Sequence, residues 1–366
     1  MAVSRINEAG LNVNQYGNRN LTINGAMLVS QRGTVTGITG SGYGGPDRCA
    51  IVCSNSGTYT LSQAADAPSG SSFDKSLDVA CTSSDTYGTA ADVTHLRVST
   101  LEGQDCMQFE HGTSSAKKLT VQFWVKCSYA DTFGLAFVNH DSQKSNVQKF
   151  TIDSANTWQY VTLTYNGDTA AGFSNNNTLG LSLDLFLGGG SDYTGGSATL
   201  NNWDTRSNNQ STYLSSTSTM FGTATSHTFN LTGLQLEVGD TATDFEHRTF
   251  GDELHRSERY YQRWDGTSTM IAPGGIWYGA GQVLSGLTFK RPMRANPTMS
   301  VSATGWGSCY DVGASKNTND TSVFDNIEKH GARINIGVLA SNGTAGRGTM
   351  IQLNGSDKYI EADAEL

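Results

Sequence analysis

The stretch from Leu231 to Arg263, LTGLQLEVGDTATDFEHRTFGDELHRSERYYQR, decides the fold because it joins a strand pattern to a helix pattern. In LTGLQLEV, apolar residues recur at alternate positions, which is the period of a half-buried strand. From Phe250 onward, apolar residues recur at spacings of three and four, which is the period of one helix face. The stretch therefore predicts the closing strand of one domain, followed by a connector to the next.

The region before this stretch predicts a series of short strands. In LTVQFWVKC, Leu119 to Cys127, apolar and polar side chains alternate, and Trp124 falls on the polar face. The same alternation occurs in HLRVSTLEG, WQYVTLTYN, LGLSLDLFLG and HTFNLTGLQLEV, and LTINGAMLV from Leu21 resembles a strand interrupted at Gly25. The chain has 42 Gly and 5 Pro in 366 residues, a composition that favours strands joined by turns. Many short alternating strands predict a jelly roll or β-sandwich.

The region after the stretch is β-rich again, and GIWYGAGQVLSGLTF predicts a hairpin. The predicted fold class is all-β, with an N-terminal jelly-roll β-sandwich, a short connector helix and a small C-terminal β-sandwich. The predicted boundaries are residues 1–19 for an N-terminal arm, 20–248 for the jelly roll, 249–264 for the helix and 265–366 for the second sandwich. Between them, residues 188–218 form a polar loop long enough to have a role of its own or to be ordered by a neighbour.

Charge and hydropathy exclude several classes of protein. The net charge is -9, without the basic patch of a nucleic-acid binder. No apolar run reaches the length that a membrane span needs, and MAVSRINEAG at the N-terminus lacks the apolar core of a signal peptide. We expect all six cysteines to be small buried hydrophobic residues. A Gly-rich β protein made in the cytosol without a secretion signal fits a phage virion protein, which is released by lysis.

The sequence contains no catalytic motif of the types G-x-S-x-G, H-E-x-x-H or Walker A. Asp184 and Glu237 would form a glycosidase-like pair if their strands were neighbours, but two outward-facing carboxylates on a solvated sheet are the favoured interpretation. We therefore predict no catalytic residues and a non-enzymatic protein. Ca²⁺ is conceivable beside hydroxyl-rich loops, but no ligand set has the required spacing, so no cofactor is predicted.

A sugar-binding surface needs an exposed aromatic ring with amide or carboxylate groups beside it. The polar strand faces supply one candidate set of six residues, and the long loop and the last domain each supply a further pair. The candidates are Trp124, Gln122, Lys126, Asp184, Gln235 and Glu237 on strands, Tyr193 and Trp203 in the loop, and Trp306 and Tyr310 in the last domain. A buried position for Trp124 at a domain or subunit interface is an open alternative.

The predicted helix carries one apolar stripe at spacings of four and three, formed by Phe250, Leu254, Tyr261 and Trp264, with Ser257 at the remaining position. A stripe of this length packs either on its own sandwich or against a neighbouring subunit. These four residues are the candidates for an oligomer interface.

Several phrases, in this order, resemble the tail-fibre-like virion proteins of tailed bacteriophages, including phages of cyanobacteria. They are NLTINGAMLVSQRG (residues 20–33), LQLEVGDTATDFEHR (234–248), ERYYQR (258–263), FKRPMRANPTMSVS (289–302) and the terminal DAEL. The resemblance implies a first domain similar to the jelly roll of carbohydrate-binding modules. It also implies attachment to other virion proteins through the N-terminal arm, a homo-oligomer with a trimer favoured, and binding of a host-surface glycan.

The expected function is accordingly a virion structural protein that contributes to assembly and host attachment. A capsid decoration or head-fibre protein without a receptor role is one alternative. A polysaccharide depolymerase is the other, because some phage fibres carry such activity.

Overall fold

The computed structural model of the protein describes residues 18–265, 270–302, 306–311, 314–317, 323–337 and 343–366. The chain divides into two compact units, Met1–Glu253 together with Leu366, and Leu254–Glu365. Residues 1–17 of the predicted N-terminal arm lie outside the described residues.

Unit 1 is a sandwich of two antiparallel β-sheets, which confirms the predicted fold class. Its described strands are β1 (Val35–Ile38), β2 (Gly42–Tyr43), β3 (Ala50–Ser54), β4 (Thr58–Ala64), β5 (Ser76–Ser83), β6 (Val93–Glu102), β7 (Leu119–Cys127), β8 (Asp131–Asn139), β9 (Lys144–Ile152), β10 (Gln159–Tyr165), β11 (Leu179–Gly189), β12 (Asp204–Thr205) and β13 (Thr228–Val238). Sheet I has the strand order β1-β4-β5-β13-β7-β10, and sheet II has the order β12-β9-β8-β11-β6-β3-β2. A 3-10 helix, Gly103–Phe109, follows β6.

The core of unit 1 lies between the two sheets and contains the apolar faces that the alternation predicted. From β7 it takes Leu119, Val121, Phe123 and Val125, all with 0% exposure. Each such side chain contributes about 1.5–3 kcal/mol relative to an exposed one. The cysteines Cys49, Cys53, Cys81, Cys106 and Cys127 belong to the same core, and Cys309 is buried in unit 2, as expected.

The predicted strand from Leu21 is wrong, because this segment forms turns. Asn24 and Met27 adopt positive φ values of 60° and 58°. The Asn24 side chain hydrogen-bonds the backbone of Val29, as a neighbouring strand would. Its Nδ2 donates to the Val29 carbonyl at 2.8 Å, and its Oδ1 accepts from the Val29 amide at 2.9 Å. Asn hydrogen-bonds locally and tolerates the left-handed region, so the turn overrides the apolar pattern.

The long polar loop packs on the outer face of sheet II. Residues 190–227, here called the cover loop, contain α1 (Arg206–Asn209) and two 3-10 turns, Gln210–Thr212 and Phe221–Thr223. The Tyr213 ring stacks on Phe186 with centroids 4.0 Å apart, and Tyr213 Oη donates to Ser145 Oγ at 3.0 Å. The loop therefore gives sheet II a second, smaller apolar core on its outer side.

Unit 2 also contains two sheets around one core. Its described strands are β14 (Tyr261–Asp265), β15 (Met270–Gly279), β16 (Gln282–Thr288), β17 (Thr298–Val301), β18 (Gly307–Asp311), β19 (Ala314–Asn317), β20 (Val323–Glu328), β21 (Gly331–Gly337), β22 (Gly348–Leu353) and β23 (Tyr359–Asp363). The sheets have the orders β14-β23-β17 and β19-β18-β22-β15-β16-β21-β20. The β15–β16 pairing confirms the predicted hairpin.

Helix α2 spans Phe250–Ser257, so the prediction of a helix that continues to Trp264 is wrong. Thr249 caps its start, since the Asp252 amide donates to Thr249 Oγ1 at 3.2 Å and Thr249 Oγ1 donates to Asp252 Oδ2 at 2.7 Å. Residues 261–265 instead form β14, because pairing with β23 satisfies their backbone groups and buries Tyr261 at 1% exposure. Trp264 packs on the unit 2 core.

The four stripe residues therefore do not share one helix face. Phe250 is 56% exposed and Leu254 is half-buried, whereas Tyr261 donates its hydroxyl hydrogen to Glu361 Oε2 at 2.6 Å. Tyr261 and Trp264 are used inside unit 2. Phe250 and Leu254 remain the predicted interface residues on the helix itself.

Candidate functional site

The outer face of sheet I brings three of the predicted sugar-binding residues together. Gln122, Trp124 and Lys126 alternate along β7 with its core residues, so all three point away from the core. Strand β10 lies beside β7 and places Tyr160 opposite Trp124 in the register. Because β7 and β10 are not consecutive in the chain, the sequence of neither strand predicts that these two rings come together.

Gln122, Trp124 and Tyr160 line a shallow cavity of about 230 Å³, here called the aromatic groove. The rings of Trp124 and Tyr160 have centroids 5.3 Å apart and planes tilted by 52°. The other lining residues are Phe73, Gln122, Gly233, Ala242, Thr243, Asp244 and Phe245. Tyr160 is 46% exposed and Trp124 is half-buried, so an apolar ring surface faces solvent.

Gly233 is required at the bottom of the groove. It has a φ of 63° at a bulge in β13, between Thr232 and Gln235. A Cβ at this position would lie 2.7 Å from the Phe73 ring and 3.3 Å from Trp124. The bulge and the missing side chain together leave room for the rings of Phe73 and Trp124 beside the backbone of β13.

Gln122 is covered and does not face a ligand. It is 3% exposed, because residues 240–247, here called the strap, cross the face of the sheet. Gln122 Nε2 donates to the Thr243 carbonyl at 2.7 Å, and its Oε1 accepts the Tyr160 hydroxyl hydrogen at 2.6 Å. Gln122 therefore positions Tyr160 against the strap.

Gln235 and Glu237 are also covered by the strap, which corrects the prediction that they face an open surface. They are 0% and 5% exposed. Gln235 Oε1 accepts the Glu246 amide at 2.7 Å, and Glu237 Oε2 accepts the Thr243 amide at 3.0 Å. These side chains satisfy strap backbone groups that would otherwise be buried without partners.

The polar row continues at the open end of β7. Lys126 Nζ donates to Asp66 and lies 5.2 Å from the centroid of the Trp158 ring. Trp158 Nε1 donates to the other carboxylate oxygen of Asp66 at 3.3 Å. The hydrogen bond from Lys126 lowers the pKa of Asp66, so this carboxylate is ionised at neutral pH. Trp158 directly precedes β10 and lies two residues before Tyr160, so the aromatic surface extends beyond the groove.

Asp184 lies in sheet II, and its predicted place on the same open face as Trp124 is wrong. It is 0% exposed beneath the cover loop, 3.1 Å from Arg97 Nε and 3.6 Å from His95 Nε2. Burial alone would raise its pKa, but His95 and Arg97 lower it below the ordinary value. Burial lowers the pKa of His95 to about 4. Because Glu237 belongs to sheet I, the two carboxylates are not on neighbouring strands of one sheet.

The loop candidates are structural anchors in this fold. Tyr193 stacks on Phe186 with ring centroids 6.2 Å apart. Trp203 is 9% exposed and donates from Nε1 to the Asn166 carbonyl at 2.6 Å. In the last domain, Trp306 is 0% exposed. In the sequence, these buried aromatic residues have the same local patterns as exposed ones, so only the packing shows which rings are buried and which are exposed.

A larger cavity, of about 500 Å³, lies elsewhere in unit 1 beside the 3-10 helix, with Met107, His111 and Phe173 in its lining. We favour the smaller aromatic groove as the functional site. In the larger cavity the Glu110 carboxylate is already paired with Lys117 at 2.7 Å, and His111 Nε2 contacts the Lys117 carbonyl at 3.1 Å.

Among the described polar groups, His140 and Ser182 form a contact of the kind that catalytic histidine and serine side chains make. His140 Nε2 lies 2.9 Å from Ser182 Oγ, the separation of a base and a nucleophile. Ser182 is 0% exposed, so no substrate reaches it in this arrangement. Within the described ranges, no group of three or more His, Cys, Asp or Glu side chains is arranged to hold a metal ion. Nor does that part of the chain contain a helix long and apolar enough to cross a membrane.

No protein-family model and no curated protein matches this chain. Among solved structures, the enzymatically active domain of tailspike protein 4 of bacteriophage CBA120 matches at 11% identity with a TM-score of 0.29, over 52% of this chain and 19% of that one. A family 11 carbohydrate-binding module from Clostridium thermocellum, in complex with a mixed-linked tetrasaccharide, matches at 12% identity with a TM-score of 0.26, over 59% and 98%. The CBM22-1–CBM22-2 tandem of Paenibacillus barcinonensis Xyn10C matches at 9% identity with a TM-score of 0.23, over 91% and 98%.

The chain thus spans about a fifth of the tailspike chain that it matches. With TM-scores below 0.5, these similarities support no conclusion about function. Function is therefore inferred from the geometry of the aromatic groove.

The residues that sequence reasoning missed are Tyr160, Trp158, Phe73, Asp66 and Asp244. The alternation in WQYVTLTYN does place Trp158 and Tyr160 on the polar face of their strand. That signal was usable, and it would have added both residues to the candidate set. Phe73 and Asp66 lie in a turn region between β4 and β5, where no periodicity marks them.

Proposed function

We propose that this chain is a non-enzymatic virion structural protein of a tailed phage, tail-fibre-like or appendage-like, and that unit 1 attaches to host-surface glycans. The observation that carries the proposal is the aromatic groove, with Tyr160 and Trp124 at a partly exposed ring surface. Trp158, Lys126 and Asp66 continue the same face.

The chemistry of this face suits a saccharide. A sugar ring has an apolar face of C–H groups, which packs on an aromatic ring, and a rim of hydroxyl groups, which need hydrogen-bond partners. Asp66 supplies a carboxylate beside Trp158, and Asp244 lines the groove itself. The open, shallow shape supports binding along a polymer chain rather than enclosure of a small molecule.

The assembly half of the proposal assigns virion contacts to the N-terminal arm and self-association to helix α2. The phage-like phrases of the sequence support this assignment. Residues at the base of the arm are anchored on unit 1, since the Asn20 amide donates to Glu246 Oε2 at 2.7 Å. We expect a homo-oligomer, with a trimer as the favoured state, located in the virion.

Retention of the protein by host cells tests the receptor function. Wild-type chain should be retained in a pull-down at high multivalency, and Trp124→Ala should abolish retention without loss of the folded state by circular dichroism. The matched control is Tyr278→Ala, which removes a side chain that is 69% exposed in unit 2. If wild type is not retained, the receptor role fails and capsid decoration becomes the better assignment. Release of soluble oligosaccharides from host polysaccharide would instead identify a depolymerase.

A further inference from the structure

The strap is irregular backbone, and side chains of sheet I hold it in place. Gln122 Nε2 donates to the Thr243 carbonyl at 2.7 Å, and Gln235 Oε1 accepts the Glu246 amide at 2.7 Å. Residues 242–245 of the strap line the aromatic groove. The shape of the groove therefore depends on every side chain that fixes the backbone of the strap.

Arg19, the last residue of the predicted arm, binds the same segment. Its Nη1 donates to Thr243 Oγ1, and its Nη2 donates to the Asp244 carbonyl at 3.2 Å. Glu237 Oε1 lies 3.6 Å from Arg19 Nη1, and Glu237 Oε2 accepts the Thr243 amide at 3.0 Å. The guanidinium thus joins two successive strap residues to a buried carboxylate, and a lysine ammonium does not reproduce this forked geometry.

The backbone beside Arg19 is fixed on unit 1. The Asn20 amide donates to Glu246 Oε2 at 2.7 Å, and the Leu21 amide donates to the Leu236 carbonyl of β13 at 2.9 Å. The Arg19 side chain itself is only 15% exposed. A mostly buried side chain on a fixed backbone has little freedom, so it can hold the strap in one position.

Hydrogen bonds run without a break from Arg19 to the exposed ring of the groove. Arg19 holds Thr243, whose carbonyl accepts from Gln122 Nε2. Gln122 Oε1 in turn accepts the Tyr160 hydroxyl hydrogen at 2.6 Å. Phe245, two residues after Thr243, lines the same groove. The positions of two aromatic rings of the groove therefore depend on where Arg19 holds the strap.

We propose that Arg19 is a positioning residue of the aromatic groove: it holds the strap and, through Gln122, the Tyr160 ring in the arrangement that binds a glycan. This inference rests on the proposed function. Without the Arg19 side chain, the strap has more freedom in the unbound chain and must be ordered when a glycan binds. The free energy of that ordering subtracts from the affinity. The arm assigned to virion contacts thus also supports the receptor site.

The test measures dissociation constants of the full chain for soluble polysaccharide prepared from the host cells of the pull-down. Arg19→Ala should weaken binding about tenfold, because the strap must then be ordered on binding. Arg19→Lys keeps the charge and should weaken binding only about threefold. The control is Arg206→Ala, an equal charge change in the cover loop over the other sheet, which should leave the dissociation constant unchanged. Circular dichroism checks that each variant is folded.

A double-mutant cycle distinguishes positioning from a general loss of stability. The Tyr160→Phe protein already lacks the hydrogen bond to Gln122 Oε1. In that background, Arg19→Ala should weaken binding only about threefold, because residues of one hydrogen-bond network have non-additive effects. A purely structural role of Arg19 would give the same factor in both backgrounds.

The outcomes separate this inference from the proposed function. If wild type binds the polysaccharide and a folded Arg19→Ala protein binds within twofold of it, the positioning role is refuted and the groove remains a glycan site. Equal losses in the two backgrounds also refute the positioning role. If wild type does not bind, the proposed glycan attachment fails, and the inference fails with it. If Arg19→Ala does not fold, Arg19→Lys decides, and an unchanged dissociation constant for that variant overturns the inference.

Discussion

Replacing Tyr160 by Ala removes the most exposed aromatic ring of the groove, and the loss in affinity can be estimated from the structure. Tyr160 is 46% exposed. Aromatic side chains bury about 150–250 Å² when fully covered, so a bound sugar covers on the order of 90 Å² of this ring. At about 25 cal/mol per Å², that contact contributes about 2 kcal/mol, or roughly thirtyfold in Kd.

Isothermal titration calorimetry with the tightest-binding host polysaccharide is the assay, and Tyr160→Phe is the matched variant. The Phe ring keeps the apolar surface but loses the hydrogen bond to Gln122 Oε1, which is 2.6 Å long in the wild type. We expect Tyr160→Phe to weaken binding only a few-fold, since one such hydrogen bond contributes about 0.5–1.5 kcal/mol. A Tyr160→Ala protein that is folded and binds within twofold of wild type would refute the assignment of the groove.

The other predictions concern stability and assembly. Burial lowers the pKa of His95 from 6.5 to about 4, so the folded state holds this ring neutral. The unfolded chain protonates this ring below pH 6.5 and the folded chain does not, so the free energy of unfolding falls as the pH drops from 6.5 to 4. The total loss is about 3 kcal/mol, at about 1.4 kcal/mol per pH unit. Urea denaturation at a series of pH values should show a weaker pH dependence of this free energy for His95→Asn. A Cβ on Gly134 would overlap the Tyr213 carbonyl oxygen, so Gly134→Ala should destabilise unit 1 by about 1–3 kcal/mol in thermal unfolding. The control is Gly40→Ala, which should be nearly neutral because no atom lies within 4 Å of its Cβ. Equal destabilisation by the two substitutions would count against the packing of the cover loop. Leu254→Asp should dissociate the proposed oligomer, and light scattering that finds the wild-type mass would show that Leu254 is not in the interface.

Much of the fold followed from periodicity. The strict alternation in Leu119–Cys127 correctly identified the side chains that pack between the two sheets, because one face of the strand turned to the core imposes a period of two. The hairpin at β15–β16 and the start of α2 were likewise local features, set by turn residues and a capping side chain. The end of α2 was not local, because residues 261–265 gain a strand partner about 100 residues later in the chain.

The candidate site was only partly predictable. Gln122, Trp124 and Lys126 were placed on the correct face, but alternation cannot reveal whether a polar face is solvated or covered. Asp184 looked like an exposed carboxylate, and it is buried because the cover loop packs over sheet II.

The sequence by itself determined which residues of each strand face the core, because the period of two in side-chain direction is a property of the backbone. It also favoured turns between the strands, because Gly and Asn tolerate positive φ values, although the turns after Leu21 were not recognised. Only the tertiary structure decided which strands became neighbours, and hence that Tyr160 meets Trp124. It also decided which polar faces are covered by the strap and the cover loop. Such pairings depend on contacts between residues that are distant in the chain, and no local pattern encodes them.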